Sequence, residues 1–199
     1  MHDIHYLLMK MPFMQYWRRC MLASTPSTHT GFAMTIEIYP AQKSDAKRIL
    51  DMIIELAVYE KAREQVLASV EDIERSLFGP GACSEALICT VNGEPAGYAV
   101  FFMSYSTWLG KNGIYLEDLY VAPKHRGAGA GKKLLRHIAQ LACERQCGRL
   151  EWSVLDWNQP AIDFYLSIGA QPQGEWVRYR MEGEALTHFA AHGEALPAQ

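Results

Sequence analysis

The chain has 199 residues, enough for one ordinary globular domain. Hydrophobic residues make up 49% and charged residues 21%, close to the globular average, which excludes a disordered, collagen-like or coiled-coil chain. The net charge of −3 gives no general attraction to nucleic acid or to an anionic membrane and leaves a small molecule as the expected partner.

Residues 1–33 hold Met1, Met9, Met11, Met14 and Met21 among short apolar pieces, and Arg18 and Arg19 follow those pieces rather than preceding them. A secretory signal has the opposite order, so this stretch reads as an extension, flexible or upstream of a functional start at Met34. No run of about 18 apolar residues is present, and no membrane span is expected. The five cysteines, Cys20, Cys83, Cys89, Cys143 and Cys147, are an odd set without a CxxC pair. They point to a reducing, cytoplasmic setting rather than a disulfide scaffold or a zinc ribbon.

Regular structure is expected throughout residues 34–182. Residues 35–39 alternate as a strand. Ser44 and Asp45 are placed to cap a helix carrying Ile49, Met52, Ile53 and Leu56 on one face. Ser69 and Asp72 have capping-box spacing and open a second helix that ends near Gly79 and Pro80. Residues 86–91 and 96–103 flank Asn92-Gly93, the pair that suits a type I′ hairpin turn. Further strands are expected at 114–121, 150–155 and 175–181, a long helix through Cys147, and a helix at 160–168. Residues 183–199 read as a tail or a short helix. The fold class is mixed α/β, one domain around a central sheet.

Between the strand at 114–121 and the long helix lies Arg126-Gly127-Ala128-Gly129-Ala130-Gly131-Lys132. Glycines there let successive backbone N–H groups converge on one anion, and the helix adds its unpaired amides and positive dipole end. Phosphate or diphosphate is the natural ligand. The stretch is not a P-loop, because the Gly-Lys of G-x-x-x-x-G-K-[ST] is followed by Lys133 and the leading glycine is Arg126. It also fails G-x-G-x-x-G, whose third glycine would fall on Lys132 or Leu134.

The turn fits the R/Q-x-x-G-x-G/A pattern, and the chain resembles the GNAT superfamily of acetyltransferases, most narrowly the diamine (spermidine/spermine-like) N-acetyltransferases. Leu56-Ala57-Val58-Tyr59-Glu60, Glu64-Gln65-Val66, Trp108-Leu109-Gly110-Lys111, Tyr115-Leu116-Glu117-Asp118 and the run from Trp157 through Tyr165 resemble further stretches of those enzymes in the same order. The resemblance implies a mostly antiparallel twisted sheet flanked by helices, acetyl-CoA as co-substrate without a metal, a small cationic amine as acceptor, and a homodimer. It implies that the main chain of Leu119, Tyr120 and Val121 meets the pantetheine arm, with Asn158 holding that arm and Arg126–Lys132 binding the diphosphate. It further implies Tyr165 as general acid at the coenzyme sulfur, Glu117 as amine binder and water-mediated base, and Tyr59 and Glu60 as acceptor contacts.

The chemistry asks for such groups. An alkylammonium, with a pKa of about 10.4, must lose a proton before its nitrogen attacks, and the departing thiolate must gain one. In a regular strand Glu117 and Asp118 would face opposite ways, so only one would serve a given cleft. The strand residues Glu151-Trp152-Ser153 differ from the diamine enzymes, and the acceptor stays open between a polyamine, a diamine and a lysine-like amine. A non-catalytic acyl-CoA-binding module and a protein-lysine or N-terminal acetyltransferase are the other uses of the same turn. His188 and His192 lack the Glu of an HExxH zinc site, and Cys143 and Cys147 read as small apolar packing residues.

Overall fold

The computed structural model describes residues 34–195, so the expectations for residues 1–33 lie outside it. Its frame is a five-stranded sheet in the order β1 (Ile36–Pro40), β2 (Ser84–Val91), β3 (Glu94–Ser106), β4 (Lys111–Val121) and β5 (Leu150–Trp152). Neighbours are antiparallel except β4 and β5, which are parallel. A parallel pair needs a crossover, and α3 (Ala130–Glu144) supplies it. The other helices are α1 (Ala46–Tyr59), α2 (Val70–Phe78), α4 (Gln159–Ser167) and α5 (Gly183–His192).

Strand alternation divides the core between the two faces of the sheet. Leu87, Cys89, Phe101, Ile114 and Leu116 pack with Leu134 and Ile138 of α3, and Phe164 and Tyr165 of α4 lean on this side. Ile88, Tyr98 and Tyr120 pack on the other side with Ile49 and Met52 of α1 and Ile73 of α2. The hairpin is as expected. Val91 pairs with Glu94, and Asn92 and Gly93 take φ of 52° and 80° in the two-residue loop. The capping box forms too: Asp72 N–H donates to Ser69 Oγ at 3.1 Å and Ser69 N–H to Asp72 Oδ2 at 2.9 Å.

Several expectations are corrected. Asp45 stands at the start of α1, but its buried carboxylate accepts from the Gln42 amide and pairs with Arg48 instead of capping helix amides. The long helix stops at Glu144 because Gln146 turns to a φ of 56° and the Cys147 amide closes back onto Ala142 O. Cys147 is half-buried, whereas Cys143 is exposed rather than packed. The strand expected at 150–155 ends at Trp152. Residues 175–181 form no strand, although their sequence alternates, since no neighbouring strand among the described residues takes up their amides and carbonyls. Residues 183–192 are helical as α5.

Gly97 is fixed by close approach. A Cβ there would lie 2.3 Å from the Tyr120 carbonyl oxygen, backbone against backbone. Gly97→Ala is expected to lower unfolding stability in urea by about 1–3 kcal/mol, since β3 and β4 must part beside Val121. An unchanged midpoint would show that the strands yield freely.

Candidate active site

The site is built where β4 outruns β5. The parallel pairing covers only Ile114–Leu116 against Leu150–Trp152, and β4 then continues alone on that side to Val121. At the point of parting the register slips. On β3, Val100 pairs with Asp118 while the next residue, Phe101, pairs with Leu116, so Glu117 is an extra residue in β4. Such a bulge re-aims side chains. Before it Ile114 and Leu116 face α3, and after it Leu119 and Val121 do. Asp118 therefore joins Tyr120 on the α1 face, and simple alternation does not carry through Glu117.

The carboxylates there are not neutralised by cations. Glu55, Glu60, Glu117 and Asp118 take part in none of the ion pairs among the described residues. The hydroxyl of buried Tyr98 donates to Asp118 Oδ2 at 3.0 Å, and the Tyr120 hydroxyl donates to Glu55 Oε2 at 2.8 Å. Burial raises the pKa of Asp118, the nearby Glu117 adds to the rise, and the Tyr98 bond offsets part of it. Glu60 is raised by burial and then by Asp118. Burial and the bond to Glu55 push Tyr120 up to about 12. Glu64 stands exposed in the turn beyond α1.

The glycine turn lies open. Gly127 and Gly129 have φ of 76° and 87°, are exposed, and would meet no atom within 4 Å at a Cβ position. Gly129 is the N-cap of α3 without a side-chain cap, and the first helix amide to find an acceptor is that of Lys133, on Gly129 O. The amides before it in the first turn are available to an anion. Gly131 differs: a Cβ there would touch the Val121 and Leu119 side chains at ordinary distance. Ala130 is buried, Ala128 half-buried, and Lys132 exposed.

Across the opening stands α4. Its first turn follows Asn158 and contains Pro160, as expected, but the Asn158 side chain does not cap the helix; its Oδ1 accepts from the Tyr59 hydroxyl at 3.3 Å. The Tyr59 ring centre is 5.8 Å from that of Trp157. Tyr165 packs against Trp152 at 4.9 Å and Phe164 at 5.5 Å, and burial raises its pKa, so it keeps its proton at neutral pH. The structure thus brings Tyr59 to Asn158 and Glu60 toward Asp118. Sequence reasoning missed Tyr98, Tyr120 as a side chain, Glu55 and Trp157. The i, i+4 spacing of Glu55 and Tyr59 was the available signal for Glu55.

Residues 56–170, more than half of the chain, match the family model described as Acetyltransferase (GNAT) family. The chain belongs to the GNAT acetyltransferases. It is 42% identical over 166 residues to the thialysine N-epsilon-acetyltransferase of Bos taurus, covering 78% of this chain and 97% of that protein. With the L-ornithine N5-acetyltransferase of Arabidopsis thaliana it shares 38% over 117 residues, covering 59% of this chain and 48% of the other. Among solved structures, an integron cassette protein from the mobile metagenome of V. cholerae superposes with a TM-score of 0.67 at 28% identity, covering 79% of this chain and 99% of its own. As a GNAT enzyme the chain is an acetyl-CoA-dependent N-acetyltransferase. The expected family and the mostly antiparallel sheet are both found. Among the described residues no helix is long and apolar enough to cross a membrane.

The desolvated aspartate of this GNAT site has a consequence for folding. Folded Asp118 keeps its proton to higher pH than an unfolded aspartate, for which the pKa is about 3.9. Its burial is therefore neutral to stability below that value and counts against the folded state as pH rises through the folded pKa. Asp118→Asn, which retains an acceptor for Tyr98, is expected to melt above the wild type at about pH 7 and to lose that advantage toward about pH 3. Equal melting temperatures at both pH values would refute this.

Proposed function

We propose that the chain transfers the acetyl group of acetyl-CoA directly to a primary amine of a small cationic molecule, with side-chain amines of the thialysine and ornithine kind as the leading acceptors. The observation that carries this reading is the open glycine turn, with free helix amides, at the end of a bulged strand whose neighbouring carboxylates lack cations. The names of two relatives, a thialysine and an ornithine N-acetyltransferase, support the acceptor class. Cationic polyamines and diamines satisfy the same electrostatics.

In this reading the main-chain amides from Gly127 to Lys132 take the diphosphate, the Arg126 amide being already bonded to Pro123 O. The edge of Leu119, Tyr120 and Val121 that β5 leaves open takes the pantetheine amides as an added strand would, beside the Val121 carbonyl that Arg126 Nε occupies. Asn158 holds the arm from the side of α4. Tyr59 and Glu60 meet the acceptor at its mouth. Glu117 accepts the ammonium proton through water, which frees the nitrogen lone pair for the thioester carbonyl carbon. The new C–N bond forms as the C–S bond breaks, Tyr165 gives its proton to the sulfur, and the second proton of the nitrogen leaves to solvent, from which Tyr165 is reprotonated. Its raised pKa keeps that proton in place at the working pH.

Tyr165→Phe is expected to lower kcat by about 10²-fold or more with thialysine as acceptor, while coenzyme A affinity by calorimetry stays close to wild type. Gly129→Val should do the reverse, losing coenzyme affinity first, because a β-branched residue is strained at a φ of 87° and covers the amides. Coenzyme binding without acetylation of any amine in a panel of thialysine, ornithine and polyamines would favour a non-catalytic module.

A homodimer belongs to the same reading. Trp176, Val177, Tyr179 and Met181 are 66%, 73%, 90% and 50% exposed, and Trp176 meets Trp108, itself 88% exposed, at 6.4 Å. A contiguous apolar surface of this kind marks an interface, and the alternating 175–181 segment has the pattern of a strand in need of a neighbour. A reducing cytoplasm suits the free Cys83, Cys89, Cys143 and Cys147. Light scattering is expected to give twice the chain mass, and Val177→Lys a single chain; a wild-type monomer would refute the dimer.

A further inference from the structure

Arg126 opens the glycine turn, yet its side chain leaves it. Nε donates to the Val121 carbonyl oxygen at 2.9 Å, and the guanidinium carbon sits 4.9 Å from the Tyr59 ring centre and 5.8 Å from that of Tyr120. A guanidinium is planar and weakly hydrated, and it lies well on aromatic faces, where an ammonium is a point charge. Both rings are anchored. Tyr120 is 4% exposed, and its hydroxyl reaches Glu55, which lies one helical turn before Tyr59 on α1. Tyr59 ends α1 and touches Trp157 and Asn158 across the opening.

Beyond Tyr59 the chain folds back on the helix end: the Lys61 and Ala62 amides donate to the Val58 and Ala57 carbonyl oxygens, and Lys61 Nζ lies 5.9 Å from the Trp157 ring centre. Glu60 caps the helix through its amide on Leu56 O, Lys61 turns to a φ of 59°, and the carboxyl of Glu60 faces the like charge of Asp118. The Arg126 side chain thus sits where it can hold the last turn of α1 against the end of β4. To reach an anion at the glycine turn instead, it would have to give up the Val121 bond and leave both rings.

Building on the N-acetyltransferase reading above, we propose that the Arg126 side chain is a positioning residue for the amine acceptor. It holds Tyr59 and the adjoining Glu60 at the cleft mouth, while the diphosphate is left to the main chain of the turn. The Arg126 amide is already bonded to Pro123 O, so the coenzyme side belongs to the glycines that follow it and the guanidinium to the acceptor side.

The test uses the full chain, thialysine as acceptor, steady-state kinetics and coenzyme A calorimetry. Arg126→Gln is expected to raise the thialysine KM by about three- to tenfold, the range of a partly desolvated cation–π contact, and by more than it changes kcat or the coenzyme A Kd. Arg126→Lys should show the same rise, since it keeps the charge without the planar face. On a Tyr59→Leu background Arg126→Gln should add nothing further, whereas on Tyr59→Phe, which retains the ring, it should still raise KM. Melting temperatures identify any variant that merely unfolds, and the Tyr59→Phe pair then carries the comparison. The proposal is overturned if Arg126→Gln weakens coenzyme A binding more than it raises the thialysine KM, or if its effect multiplies with Tyr59→Leu. A wild-type chain that neither binds coenzyme A nor acetylates thialysine overturns the acetyltransferase reading and this one together.

Discussion

At the point where β5 leaves off, β4 carries one residue more than β3 can pair, and the position of that residue organises the cleft. A bulge reverses the faces of a strand from that residue onward. Leu119 and Val121 are thereby committed to the α3 side, where they bed the first turn of that helix, and Asp118 and Tyr120 to the α1 side. Glu117 sits at the reversal itself. Had the strand stayed regular, Asp118 would have shared the apolar face of Leu116 and α3, a costly place for a carboxylate. The same slip coincides with the end of the parallel pairing, so the unpaired edge of β4 begins where its side chains change sides.

The electrostatics follow from this placement. Asp118 and Glu60 are partly desolvated and lie near each other without a cation, and each holds its proton more tightly than a free carboxylate. Left as it is, the arrangement works against folding at neutral pH. On the proposed reading, a positive acceptor entering beside these carboxylates relieves it. Strain of this kind is characteristic of functional sites, where a group is kept in an unfavourable state because a ligand relieves it. Tyr98 limits the penalty by donating its buried hydroxyl to Asp118, and in return its own proton is held well above the usual phenol range, first by burial and then by that carboxylate.

Acidic groups and free amides thus lie within a few residues of one another at the C-terminal end of one strand, on different sides of it. The acidic groups and aromatic rings lie on the α1 side, while the free amides of the glycine turn and the dipole of α3 lie beyond Val121. Arg126 lies between them in sequence and in space. Its guanidinium would repel a cationic guest if left free. Held over the rings of Tyr59 and Tyr120, with Nε on a carbonyl, much of its charge is already engaged.

Much of this was legible in the chain itself. The hairpin at Asn92-Gly93, the Ser69–Asp72 cap, the glycine turn at a strand–helix junction and the helix behind Pro160 depend on residues a few positions apart, whose local conformational preferences survive in any context. The segment 175–181 misled for the complementary reason: alternation marks a strand face, but a strand exists only where another chain segment takes its hydrogen bonds. The roles of Asp118, Tyr98 and the Arg126 side chain were likewise hidden. Asp118 depends on a register slip against β3, Tyr98 on a partner twenty residues away, and Arg126 on the end of a helix that local spacing does not place beside it. Sequence alone therefore determined most local elements, the glycine turn before α3 and the family pattern, because those rest on short-range backbone chemistry. Only the tertiary structure decided which face each cleft residue occupies and which side chains meet across the opening, because those follow from strand register and packing between distant segments.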